Sequence, residues 1–378
     1  MKKKLPELCN IQYGYAFDSN CFTEDQSFIP IARIRDVKRG YSETFYSGTY
    51  PAEYVIHYDD LLVGMDGEFN IARWKSQNAL LNQRVCKISA KTGTNEEYLR
   101  FCLSKSLKEI ENRTSFVTVK HLSAKELNKL ELDVPDISVQ NTIANILSKL
   151  EIVIALQQQQ LQALDDLIKA RFVEMFGDPI INNRGWSQTT LLYALEPGRT
   201  VTYGIVQTGD ECENGVPVFR PIDIAGGHVP RREELKRTDP SISAQYKRTL
   251  LKGNELLITV RGSVGETFQI TKEFEGCNVG RNIVPLVTDS SKVLQRFLQE
   301  LFTQDAIKRW LKGITKGIAL QGLNMGEFKE MPVITPPIVR QKEFVDFAIQ
   351  VDKSKLVVQK AMDEAQLLFD SLMQQYFG

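Results

Sequence analysis

Histidine is almost absent from this chain, with three in 378 residues, His57, His121 and His228, none near another in sequence. The six cysteines (Cys9, Cys21, Cys86, Cys102, Cys212 and Cys277) form no CxxC pair, so the common structural zinc modules are excluded. No histidine sits in a Cys or Asp constellation that would make a nucleophile and its base, and surface or core roles are expected for all three. Net charge is also lacking: 47 Lys and Arg balance 47 Asp and Glu, which removes a highly charged tail but leaves room for a local basic patch. No apolar run approaches 18 residues and no signal peptide stands behind "MKKKLPELCN", so the protein is expected in the cytoplasm and off the membrane.

What is present is ordinary globular composition, 42% hydrophobic and 25% charged, on a chain longer than one core usually serves. Two domains are the simplest count. Aligned on itself, the sequence repeats: "VPDISVQ" (Val134 to Gln140) matches "TPPIVRQ" (Thr335 to Gln341), and the same 201-residue offset carries Phe176 onto Phe377 and Gly177 onto Gly378. Upstream, "YLRFCL" matches "LQRFLQ", "DLLVGMDG" matches "ELLITVRG" and "IPIARIRDV" matches "VPVFRPIDI", with an offset that falls to 187. Each copy runs in one order: apolar extended runs, a helix, a proline-bounded turn, a long helix. The first helix is expected from near Asn95, with Glu96 and Glu97 in its opening turn, and its counterpart from about Ser291 to Lys312.

The long helices follow a heptad. Leu147, Leu150, Ile154, Gln157, Leu161, Leu164, Ile168, Arg171 and Met175 fall at alternating spacings of three and four, and their equivalents are Ala348, Val351, Lys355, Val358, Met362, Ala365, Phe369, Leu372 and Tyr376. Polar interruptions differ between copies, Gln157 and Arg171 against Lys355, which favours two helices packing on one another. Roughly 35 residues at about 1.5 Å each span on the order of 50 Å, a spacer's length. A duplicated chain of this kind suits a partner that itself has two-fold symmetry, and duplex DNA, read at two points roughly 34 Å apart, is the obvious candidate.

The order of parts, the opening "LPELCNIQYGYAF", "ELLITVRGSVG", "TKGIALQGLNMGEFKEMPVITPPIVRQKEF" and the two terminal helices resemble the specificity subunits of Type I restriction–modification enzymes, over the whole chain. The resemblance rests on the paired "P…Q" boundaries, each followed by a long helix. It implies an α+β fold: two duplicated mixed α/β target recognition domains, separated by two long antiparallel helices that form an intramolecular coiled coil with pseudo-two-fold symmetry. The boundaries expected are 1–134 and 178–335 for the recognition domains and 135–177 and 336–378 for the spacer helices. The function implied is a non-catalytic subunit that reads a split, asymmetric DNA target and scaffolds methyltransferase and nuclease subunits. Its partners would be double-stranded DNA, two modification subunits and restriction subunits. The chain itself would carry no cofactor or metal, with S-adenosylmethionine, ATP and Mg expected on the partner subunits.

Major-groove reading needs Arg for guanine and Asn or Gln for adenine, with further Lys and Arg on phosphates. In the first copy the candidates are Arg33, Arg35, Lys38 and Arg39 past a strand, Asn70, Arg73 and Lys75 around Trp74, and Arg84 and Lys120. The second offers Arg220, Arg231, Arg232, Arg261, Arg281, Asn282, Lys316, Gln321 and Asn324. Arg84 in "NQRV" is matched with Arg281 in "GRNI". Gly262 and Gly265 fit neither a P-loop nor a dinucleotide pattern and are read as a tight turn. "TPPI" lacks the polar first residue and the aromatic last of an amino-methyltransferase motif, and no nuclease cluster is present. The competing readings are a coiled-coil adaptor that binds protein without reading DNA, and an enzyme of unassigned type.

Overall fold

The structure, a computed structural model, describes residues 2–113, 121–224, 230–316 and 322–378. Lys120, Gln321 and His228 lie outside them. The chain divides into two compact units, Met1–Gln158 with Gln359–Gly378, and Gln159–Val358.

In the first unit the apolar runs become the strands Ile29–Ala32, Leu61–Gly64 and Val85–Ala90. Four antiparallel strands lie side by side in the order Cys9–Tyr13, Val85–Ala90, Leu61–Gly64, Ile71–Arg73. Leu61 and Val63 enter one core with Tyr98, Phe101 and Leu103 of the helix Glu96–Arg113, while Leu62 enters another with Ala32, Trp74 and Leu81. That strand is apolar without alternation because both of its faces are covered. A second, mixed sheet contains Ile29–Ala32 paired in parallel with Ala79–Leu81.

The second unit repeats this plan on the strands Val216–Phe219, Leu256–Thr259 and Ile283–Leu286. Leu256 and Ile258 join Phe297, Leu298 and Leu301 in one core, and Leu257 joins Phe219 and Phe274 in the other. The helix expected from Ser291 to Lys312 is instead two, Gln295–Thr303 and Asp305–Gly313. Gln304 breaks it: its backbone is extended (φ −70°, ψ 137°), and its buried side-chain amide donates to the Glu300 carbonyl at 3.1 Å. That bond satisfies a carbonyl at the helix end that a continuing turn would otherwise have used.

Two helices of 40 residues, Ile137–Phe176 and Ile338–Phe377, begin just after the proline boundaries. Each is pinned near its start by a buried glutamine. Gln140 accepts from the Asn95 amide at 2.9 Å and donates to the carbonyls of Pro135 (2.8 Å) and Gly93 (3.4 Å). Gln341 accepts from the Leu294 amide at 2.9 Å and donates to the carbonyls of Pro336 (2.8 Å) and Lys292 (2.9 Å). An ion pair is repeated as well: Arg100 with Glu151 at 2.5 Å, and Arg296 with Asp352 at 2.8 Å.

Inside the second unit the two helices run antiparallel, since Phe176 packs on Phe344 (centroids 5.6 Å apart) while Asp165 meets Lys355 at 2.5 Å. In the first unit Phe101 packs on Phe369 and Tyr98 on Phe377, at 6.0 and 5.2 Å. Along the heptad, Leu147, Ile168, Val351 and Val358 are buried, and Leu150, Ile154, Leu161, Leu164, Met362, Phe369 and Leu372 are half-buried. Ile152, Leu156, Leu356, Val357 and Leu367, off the stripe, are more than half exposed. The first long helix also holds an 18-residue window of mean hydropathy 1.2, enough by length and composition alone to cross a membrane, with 22% of that window buried.

Candidate nucleic-acid interface

At one end of the central strands in each unit, three backbone segments meet in the same register. In the first unit the Met65 amide donates to the Arg84 carbonyl at 3.0 Å and Asp66 bridges His121; in the second the Val260 amide donates to the Asn282 carbonyl at 2.8 Å and Arg261 bridges Gly322. Two identical ladders therefore carry different side chains: Asp66, Arg84 and His121 against Arg261, Asn282 and Gly322. The hydrogen-bond register corrects the sequence match by one residue, pairing Arg84 with Asn282 and Gln83 with Arg281. Its anchor is apolar, Val85 opposite Gly64 and Ile283 opposite Thr259. Matching arginine to arginine overlooked that buried position.

Arg33, Arg35 and Arg84 come together around a cleft of about 590 Å³, floored by Phe17 and Phe22 and edged by Asp66 and Glu68. Arg33 lies over the Phe22 ring at 5.6 Å, and Arg35 donates to the Thr44 hydroxyl at 3.0 Å. Arg84 is held by Asp66 at 3.3 Å and approaches His121 Nδ1 at 3.4 Å, and His121 in turn bonds Asp66. Lys38 stands at the rim on Glu68 (3.3 Å), Arg39 pairs with Glu43 (3.6 Å), and Lys75 is exposed. The pairings of Lys38 and Arg39 are loose surface contacts that a phosphate could replace at little cost.

Other candidates are taken up by the fold. Arg73 turns toward the helix, bonding Glu97 and, at 3.1 Å, Glu96. Burial pushes the Glu97 carboxyl up, yet Arg100 and Arg73 together hold it below the usual carboxylate range. Asn70 donates to the Glu68 carbonyl at 3.0 Å within its own turn. Arg232 donates to the carbonyls of Glu273 and Glu275 at 2.6 and 2.9 Å, and Asn324 caps the helix Met325–Lys329. Each of these four engages at least one side-chain group within the protein.

In the second unit Arg220 occupies the place of Arg33 but forks onto Asp223, at 3.1 and 2.8 Å, and that hydrogen bonding raises its guanidinium pKa further. Arg231 pairs with Glu234 and Lys316 with Glu327 (2.9 Å). Arg261 and Arg281 are exposed. Asn282 is half-buried.

Among the described residues no group of three or more His, Cys, Asp or Glu is placed to hold a metal ion. Burial pushes the thiols of Cys86 and Cys102 up to about 12, so neither supplies a thiolate at neutral pH. What the strand ends present is an array of hydrogen-bond donors and acceptors.

Comparison with known proteins agrees. The model of the Type I restriction modification DNA specificity domain matches residues 1–166 and 205–363. The Type I restriction enzyme EcoBI specificity subunit of Escherichia coli is 30% identical over 398 residues, covering 99% of this chain and 84% of that protein. A second specificity subunit, MjaVIII of Methanocaldococcus jannaschii, is 20% identical over 365 residues, covering 93% of this chain and 81% of its own. In fold, the chain is similar to the crystal structure of the Type I restriction–modification S subunit from M. genitalium, with a TM-score of 0.54 at 14% identity, covering 100% of this chain and 96% of that one. With two matched copies of the domain model and a relative 30% identical across 99% of this chain, the chain belongs to the specificity subunits of Type I restriction–modification enzymes.

Proposed function

We propose that the protein selects a split, asymmetric DNA sequence and delivers two methyltransferase subunits, and a nuclease when one joins, to that sequence. The observation that carries this reading is the pair of identical ladders with unlike side chains, which suits two half-sites of different sequence. Residues 1–134 and 178–335 act as the two recognition domains. Arg33, Arg35, Lys38, Arg39, Lys75 and Arg84 serve the first half-site, and Arg220, Arg231, Arg261, Arg281, Asn282 and Lys316 the second. Phosphate contacts would position the domains and a few base contacts, each about 1–3 kcal/mol, would specify them.

The segments 135–177 and 336–378 act as spacers, packed on each other along the heptad stripe. The exposed Leu156, Val357, Leu167 and Leu368, equivalent in pairs at the 201-residue offset, offer apolar ground on which modification subunits can dock. Cofactors belong to those partners. The adaptor reading is not favoured, because the matched family domain is one of DNA specificity.

Long-read sequencing of methylated bases in host DNA, with the gene intact and deleted, tests the proposal. Loss of methylated adenine at one split motif is the expected result. Unchanged methylation in the presence of an active modification subunit would overturn it, and duplex affinity that does not fall steeply with salt would count against DNA reading altogether.

A further inference from the structure

The turns at residues 82–85 and 280–283 occupy one place in the two units. Each closes with a backbone hydrogen bond, Val85 to Asn82 at 2.9 Å and Ile283 to Gly280 at 3.1 Å. Each follows a short strand paired in parallel with its neighbour, and each leads into a strand of the antiparallel sheet, Val85–Ala90 or Ile283–Leu286. The backbone is fixed from three further sides. Asn82 donates to the Ala32 carbonyl, as Gly280 does to Phe219; Met65 and Val260 donate to the turn itself; and Gly14 and Gly204 pack so closely that a Cβ would collide with the carbonyls of Asn82 and Val279.

On this base all four side chains differ, but Asn82, opposite Gly280, spends its Oδ1 on the Gln83 amide, and Val85 and Ile283 are buried in the core. Arg84 is tied to Asp66, and Asn282 is half-buried. Gln83 and Arg281, the remaining pair, are exposed, and neither side chain has a hydrogen-bond or ion-pair partner among the described residues. One is an amide with a donor and an acceptor, matching adenine N6 and N7; the other is a guanidinium with paired donors, matching guanine O6 and N7. A side chain held on a fixed turn, with nothing of its own protein to leave, loses least on meeting a base.

We propose that Gln83 and Arg281 are equivalent base-reading residues, Gln83 contacting an adenine in one half-site and Arg281 a guanine in the other. The assignment rests on the DNA-reading role and adds to it a residue, Gln83, that neither composition nor motif singled out. It also places one determinant of each half-site at the same address in the repeat.

The test uses the full chain expressed with its own modification subunits. Host methylomes are compared for the wild type, Gln83→Arg and Arg281→Gln. The expected result is a change at one base position in one half-site for each variant, with the other half-site kept. Wild-type methylation of a split motif that both variants leave unaltered would sink this assignment while leaving the DNA-reading role intact; a wild type whose deletion changes no methylation sinks that role itself. Should a variant lose methylation everywhere, the assembled wild-type complex is titrated with target duplexes carrying 7-deazaadenine or 7-deazaguanine at single positions. Weakening of about 5- to 150-fold at one adenine in one half-site and one guanine in the other, absent in Gln83→Ala and Arg281→Ala respectively, supports the proposal. Insensitivity to every such substitution overturns it.

Discussion

The two units keep different things. Where the chain must hold itself together, they agree: Gln140 and Gln341 make the same three bonds, Arg100 and Arg296 meet Glu151 and Asp352, and Gly14 and Gly204 press against the same turn. Even the buried aspartates after the first paired strand match, Asp36 accepting from the Arg33 amide and Asp223 from that of Arg220. At the exposed strand ends they disagree at every step, Asp66 against Arg261, Gln83 against Arg281, Arg84 against Asn282, His121 against Gly322. An internal duplication thus acts as its own control, separating residues whose job is the scaffold from residues whose job is the target.

The strongest way to break the comparison is at the glutamines. Gln341→Ala leaves the Leu294 amide and two carbonyls without their partner, at roughly 1–3 kcal/mol per buried polar group, so a loss on the order of 3 kcal/mol is expected. Hydrogen exchange should show faster opening at Leu294 with Asn95 unaffected, and Gln140→Ala the reverse. Slowed or equal exchange at both amides would mean the two clamps are not the equivalents they resemble.

Next come the glycines. Gly14→Ala and Gly204→Ala overpack a fixed carbonyl and should each cost about 1–3 kcal/mol in thermal unfolding, with the turn beside them displaced. Melting within experimental error of the wild type for either variant would show that the turn is not rigid.

The smallest effect separates the two ion clusters by sign. Glu97 is held below its ordinary range, so its contribution is present above the unfolded carboxylate pKa and is lost as pH falls through the lower folded value. Burial pushes Glu300 up, against the pull of Arg296, so it favours the fold below the unfolded value and loses that as pH rises through the higher folded one. Glu97→Gln should therefore destabilise at pH 7, by less than about 1 kcal/mol, and Glu300→Gln should not. Denaturation of the two variants at pH 7 and pH 4 checks the sign, and parallel shifts would remove the distinction.

Much of the fold was legible because it is written in periods: the heptad of the long helices, the unbroken apolar strands, the 201-residue echo. The break at Gln304 was not, since a glutamine among helix formers carries no local stop signal and acts here through a side-chain bond to Glu300. Site residues were harder still. Arg73 and Arg232 look like any surface arginine in sequence; what engages them is Glu97, 24 residues on, and carbonyls 41 and 43 residues on. The slip between Arg84 and Arg281 came from aligning charge, whereas the register is set by Val85 and Ile283 in the core.

Among the described residues the glutamine clamps hydrogen-bond through their side chains only to main chain. Gln140 meets an amide of Asn95 and carbonyls of Gly93 and Pro135, and Gln341 an amide of Leu294 and carbonyls of Lys292 and Pro336. Asn95 and Leu294 share no side-chain chemistry, yet both seat the same plug. A socket built from peptide groups is indifferent to the residues around it, so the helix can accept a head of unrelated surface provided its chain turns the same corner. That is the mechanical condition for a modular tool with exchangeable bits.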